Sequence, residues 1–265
     1  MNSKTTNVSQ LFQTAEEEGL LSKKASQALM VMPDIGALIQ AGLGIPIDDV
    51  TASEVILVTV MPDDSGSISG ANNEQLVRDG QNMVIDSLQA SKQRDNILMH
   101  TRYLNGKVLF PYRPIDQAVR MDGRNYQATG GTPLYDQTMV MLGTVIAKTL
   151  EFENNGVPVR TISLIITDGR DEHSKKVFAT DVAKVVEEML QSEKHIVAAM
   201  GIDDGRFDFK TIFRNMGIPK QWILTPGNTP SEIRKAFQVF SQSAIRASQG
   251  SAAFSATAMG GFGTP

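Results

Sequence analysis

Five oxygen-bearing side chains fall at three separated places in the chain, each beside an apolar run or a glycine pair. Asp63, Ser65 and Ser67 lie in Met61-Pro62-Asp63-Asp64-Ser65-Gly66-Ser67, Thr132 follows Gly130-Gly131, and Asp168 stands in Ile166-Thr167-Asp168-Gly169. All five offer oxygen, and neither His nor Cys is among them. Hard oxygen ligands suit Mg²⁺, Ca²⁺ or Mn²⁺, and the lack of nitrogen and sulfur argues against zinc or copper. Hydroxyls are neutral ligands, so a cation held by three of them stays strongly electrophilic and readily accepts an incoming carboxylate. Gly66, Gly130, Gly131 and Gly169 let the backbone turn tightly around such a site. Taken singly, Ser and Gly after a strand make a turn, and Thr before Pro makes an N-cap. Only their joint placement points to a metal.

The elements around these residues predict that joint placement. Val55 to Val60 is a continuous run of strand formers, as expected of a central strand buried on both faces. Leu76, Met83, Val84 and Leu88 recur at helical spacing. Asn96 to Leu104 and Lys107 to Arg113 flank Asn105-Gly106, a pair that favours a type I′ hairpin turn. Thr132 is placed as N-cap and Pro133 as first residue of a helix through Leu134, Met141, Leu142, Val145 and Leu150. Thr161 to Thr167 and His195 to Ile202 read as buried strands, and Gln221 to Thr225 as a last one that contains Trp222. Asp181 to Glu193 and Asp208 to Asn215 read as helices, and Thr229-Pro230-Ser231-Glu232 as a capping box opening a helix to about Ala247. Alternating strands and helices predict a doubly wound, mostly parallel α/β sheet with one antiparallel edge strand and helices on both faces. In such sheets ligands bind at the carboxyl ends of the strands, where all five candidates fall.

Three parts are expected: an extension over residues 1–50, a domain over 51–247 and a Gly/Ala/Ser-rich, disordered tail over 248–265. In the extension, Leu11, Phe12, Ala15, Leu20, Leu21, Ala25 and Leu29 predict short amphipathic helices around Glu16-Glu17-Glu18. Gly36, Gly42, Gly44 and Pro46 punctuate a loop-like apolar stretch. This segment packs on the domain or on a partner, and its acidic run is able to mimic a ligand of the metal edge. Asp171, Glu172 and His173 read as a solvated loop.

The 265 residues carry 25 basic and 29 acidic side chains, a net charge of −4, which gives no general attraction to nucleic acid. Hydrophobic content of 41% and charged content of 20% are ordinary for a soluble globular protein. The chain has no cysteine, which excludes disulfides, thiolate zinc sites and cysteine nucleophiles and fits a cytoplasmic location. Residues 1–10 are polar, unlike a secretory signal, and Pro33, Asp34, Gln40 and Pro46 break the most apolar stretch, so no membrane span is expected. There is no G-x-x-x-x-G-K-[ST] loop, no G-x-G-x-x-G in Gly36 to Gly44 and no G-x-S-x-G elbow around Ser65 or Ser67. Asp63-Asp64 also lacks the second aspartate of a haloacid-dehalogenase-type phosphatase. The chain is therefore expected not to be an enzyme.

The D-x-S-x-S pattern of Asp63, Ser65 and Ser67, the later Thr132 and the T-D-G aspartate Asp168 resemble the metal-ion-dependent adhesion site of von Willebrand factor type A (VWA) domains. The resemblance runs from about Ser53 to Ala247, with three separated pieces in the family's order. It implies that Ser65, Ser67 and Thr132 ligate Mg²⁺ (with Mn²⁺ or Ca²⁺ as alternates), and that Asp63 and Asp168 do so directly or through water. It further implies a protein partner that presents Asp or Glu, MoxR-type AAA+ ATPases among them, and hence an adaptor role. Two other functions compete. One is a scaffold that docks through residues 1–50 and the tail, and the other is a divalent-metal phosphatase.

Overall fold

A computed structural model describes residues 7–249 and 260–262. Its centre is built from strands β1 (Val55–Pro62), β4 (Val159–Thr167) and β5 (His195–Gly201), each buried at every position. Helices cover both faces, which is why these strands read as unbroken apolar runs. With β2 (Ile97–Arg102), β3 (Val108–Pro114) and β6 (Ile223–Leu224) they form one six-stranded sheet in the order β3-β2-β1-β4-β5-β6. All neighbours run parallel except β2 and β3, so the expected antiparallel edge strand is β3.

The β2–β3 connection departs from the expected type I′ turn. That turn needs positive φ at both central residues, and here only Gly106 has it, at +95°. The Tyr103 N–H donates to the Lys107 carbonyl at 2.8 Å, which leaves a three-residue loop. The end of β1 shapes it: the Leu104 N–H donates to the Pro62 carbonyl at 3.1 Å, and the Asn105 N–H to Asp64 Oδ1 at 2.9 Å. Tertiary bonds outweigh the dipeptide's own preference.

The extension forms three helices, α1 (Val8–Glu17), α2 (Lys23–Leu29) and α3 (Ile35–Leu43). The stretch expected as a loop is therefore helical up to Leu43, and only Gly44 to Pro46 lies outside the helix. Glycines mark the close contacts that α3 makes with its neighbours. A Cβ on Gly42 would lie 2.7 Å from Thr144 Cγ2 and 3.0 Å from His100 Nε2, and one on Gly143 would lie 2.6 Å from Ile39 Cδ1. Close packing outweighs the roughly 1 kcal/mol that glycine costs inside a helix. Val8, Phe12, Leu29 and Ile39 join the same core as the sheet, so the extension packs on the domain.

That layer buries helix α6 (Leu134–Glu153) nearly all round, Lys148 included. Gly19, Leu20 and Leu21, which follow Glu16-Glu17-Glu18, lie against the carboxyl ends of α6 and α7 (Ala179–Gln191) and the start of β5. This is the edge opposite Asp63 and Asp168, so the acidic run does not mimic a ligand at the metal edge.

Between β1 and β2 lie the short α4 (Gly66–Gly70) and α5 (Glu74–Gln89). Helix α8 (Phe209–Asn215) follows β5 and α9 (Pro230–Gln249) closes the domain. Helices α5 and α9 pack so closely that a Cβ on Gly80 would stand 2.2 Å from the Phe237 ring. Thr229 caps α9 as expected, accepting from the Glu232 N–H at 3.3 Å and donating to its carboxylate at 2.8 Å. Trp222 lies in a 3₁₀ turn just before β6, which is only two residues long. Of the tail, Ser248 and Gln249 continue α9, and Phe262 packs edge-on against Trp222 with centroids 5.1 Å apart. Residues 250–259 and 263–265, Phe254 included, lie outside the described residues. No described helix is long and apolar enough to cross a membrane.

Candidate metal centre

Asp63 stands one residue past β1, and its N–H donates to the Ile166 carbonyl at 2.9 Å, extending the ladder with β4. Its carboxylate is fully buried. Oδ1 accepts the Ser65 N–H at 2.7 Å and Oδ2 accepts the Thr167 hydroxyl at 2.6 Å. The Tyr126 hydroxyl donates to the Asp63 carbonyl. Ser65 occupies the N-cap position of α4, which turns Ser67 back toward β4. The two serine hydroxyls lie 2.9 Å apart, and Ser67 Oγ donates to Asp168 Oδ1 at 2.6 Å. Asp168 Oδ2 is buried without a hydrogen-bond partner.

Thr132 is not the N-cap that its sequence context predicts. Helix α6 opens at Leu134 with Pro133 at the cap, and the Pro133 carbonyl takes the first helical bond, from the Gln137 N–H at 3.0 Å. The Thr132 carbonyl is engaged elsewhere, by the N–H groups of Glu172 at 3.1 Å and His173 at 3.3 Å. On its other side the loop is joined to the β1 loop: the Gly130 N–H donates to Asp64 O at 2.8 Å, and Gly130 O accepts the Gly66 N–H at 3.1 Å. Asp63, Ser65, Ser67 and Asp168 thus form one hydrogen-bonded group. Thr132 is tied through its backbone to Glu172 and His173, and its hydroxyl bonds to none of the four among the described residues.

Burial raises the Asp63 pKa, against the bonds from Thr167 and Ser65 that lower it. Burial also pushes Asp168 up to about 6, opposed by the Ser67 bond and reinforced by the charge of Asp63. Asp64 is likewise pushed up to about 6 by burial. No Lys or Arg is ion-paired with any of the three among the described residues. Crowded carboxylates, an orphaned buried oxygen and an all-oxygen donor set fit a hard divalent cation. Among the described residues no three His, Asp or Glu side chains converge as a metal cluster, so a cation here would need hydroxyls to complete its shell.

Several residues of this edge had no visible signal in the sequence. Asp136 accepts the N–H groups of Lys175 (2.9 Å), Lys176 (3.2 Å) and Val177 (2.9 Å). Ser174 Oγ accepts the N–H groups of Tyr135 and Asp136, both at 3.0 Å, and Asp171 Oδ1 accepts that of Tyr135 at 3.2 Å. The loop that reads as merely solvated, Asp171 to His173, is thus bound to the start of α6. These pairs join residues 36 to 41 positions apart, beyond any local pattern.

No family model and no curated protein matches the sequence. Solved structures do. The open conformation of the pilus adhesin SpaC from Lactobacillus rhamnosus GG matches at a TM-score of 0.51 and 13% identity, over 74% of this chain and 30% of its own. A von Willebrand factor type A structure from Catenulispora acidiphila matches at 0.47 and 17%, over 74% of this chain and 43% of its own. The fold is that of a VWA domain. Manganese-loaded TRAP from Plasmodium vivax matches at 0.45 and 20%, over 71% of this chain and 74% of its own. The chain spans less than half the length of the SpaC and Catenulispora chains. In this VWA fold the five candidate residues lie at the carboxyl edge of β1 and β4 and on the loop that enters α6.

Proposed function

We propose that this chain is a metal-dependent protein-binding module. Asp63, Ser65, Ser67, Thr132 and Asp168 hold one divalent cation, Mg²⁺ in the first instance with Mn²⁺ or Ca²⁺ as alternates, and the partner presents an Asp or Glu. The observation that carries this reading is the Ser65–Ser67–Asp168 string ending in the buried, unpartnered Asp168 Oδ2. When bound, the cation supplies a Lewis-acidic position to which a partner carboxylate adds. Ser65 and Ser67 bring neutral donors, which leave that position electrophilic. Asp63 orients Ser65 through its N–H, and Thr167 in turn holds Asp63. Asp63 and Asp168 bond the metal directly or through water. The adhesin among the structural neighbours supports a protein-facing role.

An adaptor for a large machine, such as a MoxR-type AAA+ ATPase in the cytoplasm, is the finer form of this reading, and co-purification with such a partner tests it. The scaffold alternative needs apolar groups of residues 1–50 free to dock elsewhere. Burial of Val8, Phe12, Leu29 and Ile39 in the domain's own core favours the binding module. The reading assigns no catalytic residue, and a phosphate-ester assay with Mg²⁺ separates it from a divalent-metal phosphatase.

Calorimetric titration of Mg²⁺ and Mn²⁺ into wild type, Asp63→Ala and Ser65→Ala, with and without an acidic peptide, tests the site itself. Saturable binding to wild type, lost in both variants, is expected. No binding to wild type even with the peptide present overturns the proposal.

A further inference from the structure

We infer that His173 is a positioning residue for the metal centre, holding the main chain of Thr132 in the loop that Gly130 joins to Asp64 and Gly66. The inference rests on the metal-binding reading of Thr132. His173 Nδ1 accepts the Thr132 N–H at 2.9 Å, so this nitrogen keeps its lone pair and the ring proton sits on Nε2. The ring also covers Gly131: a Cβ there would stand 2.9 Å from His173 Cγ and 3.0 Å from Nδ1. Thr132 is thus gripped at both main-chain polar groups, since its carbonyl accepts from Glu172 and His173 as well.

The grip matters because of what precedes Thr132. Gly130 and Gly131 are adjacent, and glycines leave the chain more conformational freedom than any other residue. Gly130 is fixed by its two bonds to the β1 loop, and between it and the rigid start of α6 the main chain of Thr132 is restrained, among the described residues, by the β4–α7 loop. That loop is itself anchored, through the three N–H groups that Asp136 accepts and through Ser174 at Tyr135 and Asp136. It begins at Asp168. The His173 ring therefore ties the segment that carries one carboxylate to the segment that carries the third hydroxyl. Partners that orient metal ligands from outside commonly change metal affinity 10–100-fold when removed. His173 itself is exposed and adds nothing to the core, so its removal leaves the fold intact.

The test uses the full chain as wild type, His173→Ala and His173→Asn, with Mn²⁺ affinity and hydrogen exchange at the Thr132 amide as separate readouts. His173→Ala is expected to weaken Mn²⁺ binding about tenfold and to speed Thr132 exchange in the metal-free protein about tenfold or more, with an unchanged thermal midpoint. His173→Asn, whose side-chain oxygen can accept the same N–H, is expected to restore much of both. Wild-type Mn²⁺ affinity in His173→Ala, or unchanged exchange at Thr132, overturns the inference. If wild type takes up no Mn²⁺ while His173→Ala still speeds Thr132 exchange, the latch stands and the metal reading fails.

Discussion

The two edges of the sheet treat their polar groups in opposite ways. At the amino edge a groove of about 1000 Å³ runs past Ser53, Glu54, Val157, Arg160 and Lys194. Its charges are matched within the chain: Arg160 bonds Glu54, and Lys194 bonds Glu153 at 2.6 Å. At the carboxyl edge the cavity beside Asp64 holds only about 170 Å³. Yet there three buried carboxyls stand without an ion-pair partner among the described residues, and Asp168 Oδ2 lacks any hydrogen bond. Volume thus points to the amino edge. Unmatched buried carboxylate oxygen points to the carboxyl edge, where the proposed metal centre lies, because a fold that needed only stability would have paired those groups.

The largest effect is expected where that mismatch is removed. Asp168→Asn keeps an acceptor for Ser67 and discards the charge. Mn²⁺ affinity should fall more than about 100-fold, roughly 2.7 kcal/mol. The metal-free protein should become more stable, since one of several crowded buried carboxylates is gone. Thermal midpoints with and without Mn²⁺ read both effects: the metal-free midpoint rises and the Mn²⁺-induced increase disappears. A lower metal-free midpoint with affinity intact would mean that Asp168 is a structural residue, and the contrast between the edges would collapse.

The same contrast explains what was legible in the sequence. β1, β4 and β5 are buried on both faces, so their composition alone reveals them, and each candidate residue is placed by counting from a strand or helix end. Asp63, Ser65, Ser67 and Asp168 are legible for that reason. Thr132 falls on the loop that enters α6 but does not cap that helix, because its carbonyl bonds a loop some 40 residues later instead of opening the helix. Gly36 and Gly42 read as loop residues because glycine's local cost is visible, whereas the facing Thr144, His100 and Ser9 side chains are not. His173, Asp136 and Tyr126 act through main-chain bonds to distant segments, which no spacing rule encodes.

At the amino edge a smaller, pH-dependent effect is expected. His195 opens β5, with Nδ1 2.8 Å from the Thr161 hydroxyl, and burial, aided by the charge of Lys194, pushes its pKa down to about 4. Its folded pKa lies below the unfolded value near 6.5. As pH falls from about 6.5 toward 4, the unfolded chain takes up the proton first and the folded state loses stability, by at most about 1.4 kcal/mol per pH unit. His100, pushed down to about 3 by burial and by the charge of Arg102, contributes with the same sign. Urea unfolding of wild type and His195→Gln at pH 7, 6 and 5 isolates the His195 share. The wild-type advantage should shrink on acidification, and a constant difference would show that His195 has the same pKa in the folded and unfolded chain.

The smallest effect is expected at the matched pair itself. Arg160 is 8% exposed and Glu54 30%, and Arg160 also donates to the Ala247 carbonyl at 3.3 Å. Glu54→Gln keeps the shape and an acceptor while removing the charge. Stability should fall by less than about 1 kcal/mol, as for partly solvated pairs, and Mn²⁺ affinity should not change. A loss of several kcal/mol would instead show that Arg160 had been left as an uncompensated buried charge. A change in Mn²⁺ affinity would be more consequential. Glu54 immediately precedes β1, and Arg160 lies in β4, the two strands that end at Asp63 and Asp168. A signal at the far end would then mean that these strands transmit strain along their length, so that the matched edge and the unmatched edge act as one device.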